Sequence, residues 1–308
     1  MSRGASSSLT QCVSKALAVA LALLSTTASA FGQSPVRLTT KTSVTANGLV
    51  AELYTPADAQ ERLPALIVLG GSRGGLDERT AWEAKTFAEH GYAALHLAYI
   101  VGPGLPTALH LIPLEYFKAA SDWLRAHPDV DPNRIGIVGT SIGGLAALLV
   151  AAHYPEFKVV VSAVPSSVVW STFSSARTSM FSLAGQPLPY LPYGVIGGSQ
   201  NLYDDGLNAL ARHPDAIIPV EQIQGPLMVI CGKLDSLWPS CRMSAQSSLA
   251  WRLTSSPTHI NSWSIQMPGI RCSGRLLHRK ALSLPPLETW AAAPSATTPR
   301  EWIPGRRQ

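Results

Sequence analysis

The stretch that decides the fold is Arg134-Ile135-Gly136-Ile137-Val138-Gly139-Thr140-Ser141-Ile142-Gly143-Gly144-Leu145-Ala146-Ala147-Leu148-Leu149. Its first half is an apolar run after a Pro-Asn-Arg turn, which is typical of a buried strand, and its second half is a helical run of small and apolar residues. Gly-x-Ser-x-Gly lies between them, in the strand–turn–helix context of a nucleophile elbow. We therefore predict Ser141 as a nucleophile; the alternative is a glycine-rich turn with an ordinary serine.

A nucleophile of this kind needs backbone donors for the negative charge that develops on a carbonyl oxygen. The N–H of Ile142 is one candidate, because it lies at the N-terminus of the predicted helix, where unpaired N–H groups favour negative charge. Ser72 is the second, in the loop Gly70-Gly71-Ser72-Arg73-Gly74-Gly75 that follows an apolar strand. The glycines of that loop let a backbone approach a substrate closely, or they serve only the turn.

The rest of the chain alternates strands with helices. A hairpin is predicted over 34–55 around Asn47-Gly48. Buried strands are predicted at 65–69, 92–99, 159–164 and 226–231, and helices at 78–90 and 114–126. Alternation at these lengths predicts an α/β fold with a mostly parallel sheet flanked by helices.

The alternation of strands and helices stops between Pro165 and Gly225, where aromatic residues lie among many Ser, Gly and Pro. We predict an inserted cap at about 166–225, over the edge of the sheet where α/β ligand sites form. An aromatic, proline-rich lid suits an apolar acyl group, and core packing of an irregular loop is the equal alternative.

Asp235 follows the predicted strand 226–231, downstream of Ser141. That is the position and the chain order of the acid in Ser–Asp–His hydrolases of this kind. Its role would be to orient the imidazole of the base and to stabilise its cation. The alternative is a loop aspartate in a local turn.

Together these motifs resemble a known family. The segments that carry the resemblance, in order over roughly Leu63 to Met243, are Leu69-Gly70-Gly71-Ser72-Arg73-Gly74-Gly75, Leu114-Glu115-Tyr116-Phe117, Gly139-Thr140-Ser141-Ile142-Gly143-Gly144 and Asp235-Ser236-Leu237-Trp238. They look like the C-terminal catalytic domain of the acyl-CoA thioesterase / bile-acid-CoA:amino-acid N-acyltransferase family. The resemblance implies an α/β-hydrolase fold and a Ser (or Cys), Asp, His triad that acts on acyl thioesters.

The sequence departs from that family in two ways. Thioesterase members carry a β-sandwich domain in front, whereas we expect about thirty mature residues before the core here. The family histidine lies in a Tyr-Pro-x-x-Gly-His segment followed by Gly-Pro-Pro, and the chain as written contains no such segment. His259 and His278 are the remaining candidates for the base, and neither follows a strand in a short loop. The histidines upstream of Asp235 break the expected order.

The C-terminal residues suggest a reason. Residues 244–308 contain eight Lys or Arg against two Asp or Glu, and four of the eight tryptophans. In the frame that joins the last base of each codon to the first two of the next, Ser264 to Ile270 permits Tyr-Pro-Asp-Ala-Gly-His, and Ser273 to Leu276 permits Gly-Pro-Pro. In the same frame Ala245 to Leu253 permits Ala-Val-Val-Ala-Arg-Leu. We therefore hypothesise a frameshift near Met243 to Ala245, with residues 244–308 an aberrant tail that replaces the last core elements.

The N-terminus and the composition indicate the compartment and the kinds of partner to expect. Basic residues precede an apolar run, Ala16 to Leu24, and Ala28-Ser29-Ala30 is a small-x-small pattern. This predicts a signal peptide at 1–30, cleaved after Ala30, and a secreted or periplasmic protein without an integral membrane segment; a plain amphipathic helix is the alternative. The net charge of +5 belongs to the tail, which argues against a nucleic-acid partner.

Three cysteines follow the predicted cleavage site, Cys231, Cys241 and Cys272, and an odd number forbids full internal pairing. We expect Cys231 to be a buried thiol, because it lies in an apolar strand. No spacing resembles a metal site, and we expect neither a metal nor a cofactor.

The sequence thus predicts a 31–243 α/β-hydrolase core that hydrolyses a small-molecule acyl ester or thioester. Acyl-CoA thioester hydrolysis follows from the resemblance. An exported carboxylic-ester hydrolase, an amino-acid N-acyltransferase and a catalytically dead product of a frameshifted gene are the alternatives.

Overall fold

A central sheet organises the chain. The computed structural model describes residues 36–174, 177–194, 202–235, 237–254 and 263–267. Its main strands are β1 (Thr39–Val44), β2 (Ala51–Pro56), β3 (Leu63–Leu69), β4 (Ala93–Leu97), β6 (Val130–Thr140), β7 (Val160–Ala163), β10 (Leu227–Gly232) and β11 (Trp263–Met267). Within those ranges the order is β1-β2-β4-β3-β6-β7-β10-β11. A second sheet joins β5 (Ile112–Pro113), β8 (Phe181–Leu183) and β9 (Gln186–Pro187).

The pairing confirms the predicted fold class. β1 and β2 form the antiparallel hairpin, and β2 also lies antiparallel to β4. From β4 through β3, β6, β7 and β10 to β11, neighbouring strands are parallel. The hairpin turns at Asn47 and Gly48, which both have positive φ, the conformation that favours Asn-Gly in such turns.

Helices cover both faces of the sheet: α1 (Glu78–Glu89), α2 (Leu114–Ala126), α3 (Ile142–His153) and α5 (Ser240–Thr254), while the shorter α4 (Leu202–Asn208) lies in the segment before β10. The Asp77 side chain begins α1 by accepting hydrogen bonds from the N–H groups of Arg79 and Thr80. α3 is buried along its whole length from Ile142 to Ala152, as expected for a helix of small and apolar residues at the centre of the core.

The segment between β7 and β10 is not regular α/β structure. Isolated bridges join Val168 to Ile217 and Trp170 to Leu191, and a 3-10 turn at Val220–Gln222 packs against α3 and α5. This is the stretch for which we predict a cap.

The last described elements differ from the expectation that the core ends at residue 243. α5 continues to Thr254, and β11 lies parallel to β10, with Met228 opposite Trp263. A helix and a strand therefore occupy the places where none was expected; the reading frame behind them stays a prediction.

Several predictions fall beyond the described ranges. The predicted signal peptide at 1–30, both histidine candidates and most of the predicted tail lie outside the described residues. In the part of the chain that the structure describes, no helix combines the length and the apolar character needed to cross a bilayer.

Candidate active site

The turn between β6 and α3 has the geometry of a nucleophile elbow. Ser141 has φ 60° and ψ −120°, a conformation that non-glycine residues rarely adopt. Its N–H donates to the carbonyl of Ala163 at 2.8 Å, which fixes the turn against β7. Neither flanking glycine has room for a side chain. A Cβ on Gly139 would lie 2.1 Å from the Gly143 oxygen, and one on Gly143 would lie 2.1 Å from the Gly70 oxygen. Both glycines are therefore needed for this turn.

The loop after β3 packs directly against Ser141. A Cβ placed on Gly71 would lie 3.5 Å from the Ser141 Cβ and 3.9 Å from its Oγ. Ser72 is the next residue and is exposed. Among the described residues, neither the Ser72 N–H nor the Ile142 N–H donates to a protein acceptor. The structure thus brings the loop that carries Ser72 to the turn that carries Ser141 and Ile142.

Tyr99 holds this loop in place, and sequence reasoning missed it. Its hydroxyl lies 2.8 Å from the Gly70 carbonyl and 2.6 Å from the Gly71 carbonyl, and its one hydrogen is shared between these two acceptors. The side chain is completely buried, and burial, together with the charge of Asp77, raises the pKa of Tyr99 well above its usual range. The hydroxyl therefore stays protonated and remains a donor. The available signal was a tyrosine two residues after a buried parallel strand.

Asp235 lies in the loop after β10, as predicted. Its Oδ1 accepts hydrogen bonds from the N–H groups of Leu237, at 3.1 Å, and Trp238, at 3.4 Å. Its Oδ2 is buried and accepts no hydrogen bond from the described part of the chain. One carboxylate oxygen thus fixes the loop, and the other can accept the Nδ1–H of an imidazole, which is the task of a triad acid.

The cysteine prediction is wrong. Cys231 is not a free thiol, because it forms a disulfide with Cys241, with Cα atoms 4.9 Å apart. The odd number of cysteines concealed this pair. Cys231 is the penultimate residue of β10 and Cys241 is the second residue of α5, so the disulfide closes the loop between the strand and the helix. Asp235 lies inside that loop.

No histidine within the described ranges hydrogen-bonds Ser141 or Asp235. His153 lies at the far end of α3, about 18 Å from Ser141 by helix rise. His96 is fully buried in β4, with its Nδ1 3.9 Å from Glu52. The described residues therefore contain the predicted nucleophile, the predicted acid and the predicted oxyanion donors, and no histidine among them contacts Ser141 or Asp235.

Aromatic side chains connect the segment 166–225 to the acid loop. Trp170 stacks on Tyr193 at 5.3 Å, Tyr203 meets both rings edge-on, and Tyr203 also meets Trp238 at 5.5 Å. Burial raises the pKa of Tyr203, and the nearby charge of Asp235 adds to that effect. Phe173 stacks on Tyr193 but is 65% exposed. Most of this column is core packing, while its Phe173 end is free to contact an apolar group.

Metal binding has no support in the described ranges, where no group of three His, Cys, Asp or Glu side chains could hold an ion.

The chain is similar to known proteins. Residues 112–263 match the family described as "BAAT / Acyl-CoA thioester hydrolase C terminal". The chain is similar to a peroxisomal succinyl-coenzyme A thioesterase of Mus musculus (29% identity, 62% of this chain, 44% of the relative). It is also similar to acyl-coenzyme A amino acid N-acyltransferase 1 of Mus musculus (31% identity, 60% and 43%). The chain thus spans less than half the length of these curated relatives.

Solved structures support the fold alone. A dienelactone hydrolase from Klebsiella pneumoniae superposes with a TM-score of 0.52 at 18% identity, over 75% of this chain and 85% of that one. A thermophilic carboxylesterase cloned from a metagenomic library superposes with a TM-score of 0.50 at 17% identity, over 78% and 81%. The parallel sheet and these superpositions show an α/β-hydrolase fold, and residues 112–263 of the chain belong to the BAAT / acyl-CoA thioester hydrolase C-terminal family.

Proposed function

We propose that this chain derives from an exported serine hydrolase that cleaves acyl-CoA thioesters. The observation that carries the proposal is the contact between the elbow and the loop after β3, where a Cβ built on Gly71 would lie 3.9 Å from the Ser141 Oγ. A carbonyl carbon at Ser141 would have its oxygen between the two loops. That arrangement suits acyl transfer.

In the proposed reaction, Ser141 Oγ attacks the acyl carbonyl as a histidine takes its proton. The N–H groups of Ser72 and Ile142 bind the resulting oxyanion, and two such donors contribute several kcal/mol at the transition state. The leaving thiol or alcohol takes the proton from the imidazolium, whose orientation and charge depend on the Asp235 Oδ2. Water then attacks the acyl-serine carbonyl as the histidine takes its proton, and the imidazolium returns a proton to Ser141 Oγ when the carboxylic acid leaves.

The histidine of this scheme is the element that we propose to be encoded in the alternative frame, across Gly269 and Ile270. A feature of α5 supports a frame change before it. The hydroxyls of Ser244, Ser247 and Ser248 are buried without hydrogen-bond partners among the described residues, and the only other serine of the described ranges in that state is Ser121. Buried hydroxyls ordinarily find partners, whereas the alternative frame permits two adjacent valines in the middle of this helix.

The genomic DNA tests this part directly. If the alternative frame of the codons for Ser264 to Ile270 lacks a Tyr-Pro-x-x-Gly-His segment, the frameshift proposal fails. In that case a loss of activity in this chain would need a cause other than a frameshift.

Export and substrate class are linked. Disulfides persist mainly in oxidising compartments, so the Cys231–Cys241 pair supports the proposed export. CoA esters are chiefly cytosolic, and export therefore favours the second candidate, a carboxylic-ester hydrolase. The relatives that are acyl-CoA thioesterases favour the first. Transfer to an amino acid is the third candidate, on the similarity to an N-acyltransferase.

A panel of acyl donors separates these candidates. The frame-restored chain is assayed with acyl-CoA thioesters and with p-nitrophenyl esters of the same acyl groups, each with and without glycine or taurine. A higher kcat/KM for the CoA thioesters supports the thioesterase, the reverse supports the esterase, and an acyl-glycine or acyl-taurine product supports the transferase. Hydrolysis that persists in Ser141→Ala contradicts all three.

A further inference from the structure

We infer that the Cys231–Cys241 disulfide positions the catalytic acid, so that the orientation of Asp235 depends on the oxidation state of this pair. The inference rests on the proposed role of Asp235. It assigns a function to two cysteines that no part of the reaction otherwise uses.

The disulfide closes the loop that carries the acid. Cys231 is in β10, which ends at Gly232, and Cys241 is the second residue of α5, which begins at Ser240. The two sulfurs join the end of the strand to the start of the helix across a separation of 10 residues. Asp235 lies near the middle of the closed loop.

The carboxylate depends on this loop for its orientation. Among the described residues, the hydrogen bonds to Asp235 Oδ1 come from the backbone N–H groups of Leu237 and Trp238, both in the same loop. The Asp235 N–H in turn donates to the Gly232 carbonyl at 3.2 Å. Because every one of these partners lies between the two cysteines, a change in loop shape moves the acid and its donors together.

The other restraints on the loop differ in strength. Trp238 is buried and packs edge-on against Tyr203, which anchors the C-terminal half. The contact that bridges the two ends, from the Gly232 N–H to the Ser240 Oγ, is 3.4 Å long. Lys233 and Leu234 are exposed, so the N-terminal half has little packing of its own. Reduction would therefore release the half of the loop that leads into Asp235.

The pair can be reduced by a dithiol. Cys231 is buried, whereas Cys241 is partly exposed. A thiolate of the dithiol attacks a sulfur of the pair and displaces the other as a thiolate, and the second thiol of the reagent then resolves the mixed disulfide. Two electrons and two protons pass to Cys231 and Cys241, which become thiols, and the dithiol becomes its cyclic disulfide.

Trypsin cleavage after Lys233 tests the release of the loop without any need for activity. The full chain carries Cys12→Ser and Cys272→Ser, so that no other cysteine responds, and is compared before and after treatment with dithiothreitol. We expect reduction to accelerate cleavage after Lys233 by about tenfold, because cleavage follows the population of locally opened states. Cleavage after Lys158, an exposed loop lysine before β7, should change less than about twofold on the same basis. Equal rates after Lys233 in both states would overturn the inference.

A double-mutant comparison in the frame-restored chain tests the action through Asp235. Reduction should lower kcat by about tenfold with KM nearly unchanged, and reoxidation should restore it. Asp235→Asn should lower kcat by a much smaller factor in the reduced enzyme than in the oxidised one, since two changes that act through the same group are not additive. A purely structural disulfide would give the same Asp235→Asn cost in both states, and that result would refute the positioning role.

A further variant covers the case in which dithiothreitol acts elsewhere. The doubly substituted Cys231→Ala, Cys241→Ala chain should match the reduced enzyme in both measurements and should no longer respond to dithiothreitol. If the oxidised frame-restored chain hydrolyses no acyl ester at all, the proposed function fails, and the Lys233 cleavage rates alone decide whether the disulfide holds the loop.

Discussion

At the scale of single residues, the backbone of Ser141 distinguishes a nucleophile elbow from an ordinary turn. A serine at φ 60° and ψ −120° is strained, and such residues persist where the surrounding structure forces them, commonly at functional sites. Here the tight packing around Gly139 and Gly143 holds Ser141 in this conformation, because neither position has room for a side chain.

This strain gives a prediction that needs no catalysis. Ser141→Gly should raise the free energy of unfolding by about 1 kcal/mol relative to Ser141→Ala, since glycine adopts this conformation freely and alanine does not. Chemical denaturation of both variants measures the difference. Equal stability, or a less stable glycine variant, would mean that the turn is not strained.

Tyr99 is the residue that the sequence could not identify. Nothing in a linear pattern shows that a hydroxyl twenty-eight residues downstream donates to Gly71. The elbow and the position of Asp235 were predictable because their signals are local: glycines at fixed spacing, and an aspartate shortly after a buried strand. Tyr99, like the Cys231–Cys241 pair, acts through a contact that only the folded chain creates.

Tyr99→Phe in the frame-restored chain should lower kcat by about 10- to 100-fold, because the oxyanion loop loses the donor that fixes two of its carbonyls. Tyr116→Phe is the matched control. Its hydroxyl accepts a hydrogen bond from the Val50 N–H at 2.9 Å, in the hairpin. Both variants should lose about 1 kcal/mol of stability, but Tyr116→Phe should keep its kcat. Equal kcat values for the two variants would remove Tyr99 from the site.

At the scale of elements, α5 is the place where packing and sequence disagree. The helix packs against β10 and against the turn at Val220–Gln222, yet three serine hydroxyls on it are buried without partners in the described ranges. Trp251, by contrast, is buried and donates from its Nε1 to the Ile223 carbonyl at 3.3 Å. The helix is anchored well at Trp251 and poorly at its serines.

Replacing Ser247 and Ser248 with valine and alanine should therefore stabilise the chain by about 1 to 2 kcal/mol in total, because no hydrogen bond is lost and apolar contacts are gained. Ser162→Ala is the control, since the Ser162 hydroxyl donates to the Gly144 carbonyl at 2.7 Å, and its loss should destabilise the chain by about 1 kcal/mol. Thermal unfolding of the three proteins measures both effects. A destabilised Ser247→Val, Ser248→Ala chain would show that these hydroxyls have partners.

The elements themselves were largely predictable up to β10. Apolar runs of five to eight residues identified the buried strands, and the spacing in Leu114–Ala126 identified α2 to the residue. The segment after β7 was predictable only as a break in that rhythm, because its bridges join residues far apart in the chain, such as Val168 and Ile217. Periodicity contains no information about pairs of that kind.

At the scale of the whole molecule, His96 should make the stability of the chain depend on pH. Burial lowers the pKa of His96, while the charges of Asp77 and Glu52 oppose that effect in part. The unfolded chain therefore binds this proton more readily than the folded chain. The contribution of His96 to the free energy of unfolding should be fully present above about pH 6.5, the usual histidine pKa. It should be lost as the pH drops below that value, by at most about 1.4 kcal/mol per pH unit.

The measurement is the free energy of unfolding at pH 7.5 and at pH 5.5, for the parent chain and for His96→Gln. The parent should lose more stability between these pH values than the variant does. The carboxylates of Glu52 and Asp77, whose pKa values are lowered despite the opposing effect of burial, add losses at lower pH in both proteins. A variant with the same loss as the parent would show that His96 does not titrate in this range.

The central claim is that the chain holds a competent nucleophile, acid and oxyanion site, and that its base is encoded in the other frame. The most direct test is the rate of acyl-ester hydrolysis by the chain as written, by the frame-restored chain, and by Ser141→Ala in each. The restored chain should exceed its Ser141→Ala variant by on the order of a thousandfold, whereas the chain as written should stay within about tenfold of its own. Serine-dependent hydrolysis by the unrestored chain that disappears in His259→Ala or His278→Ala would contradict the account.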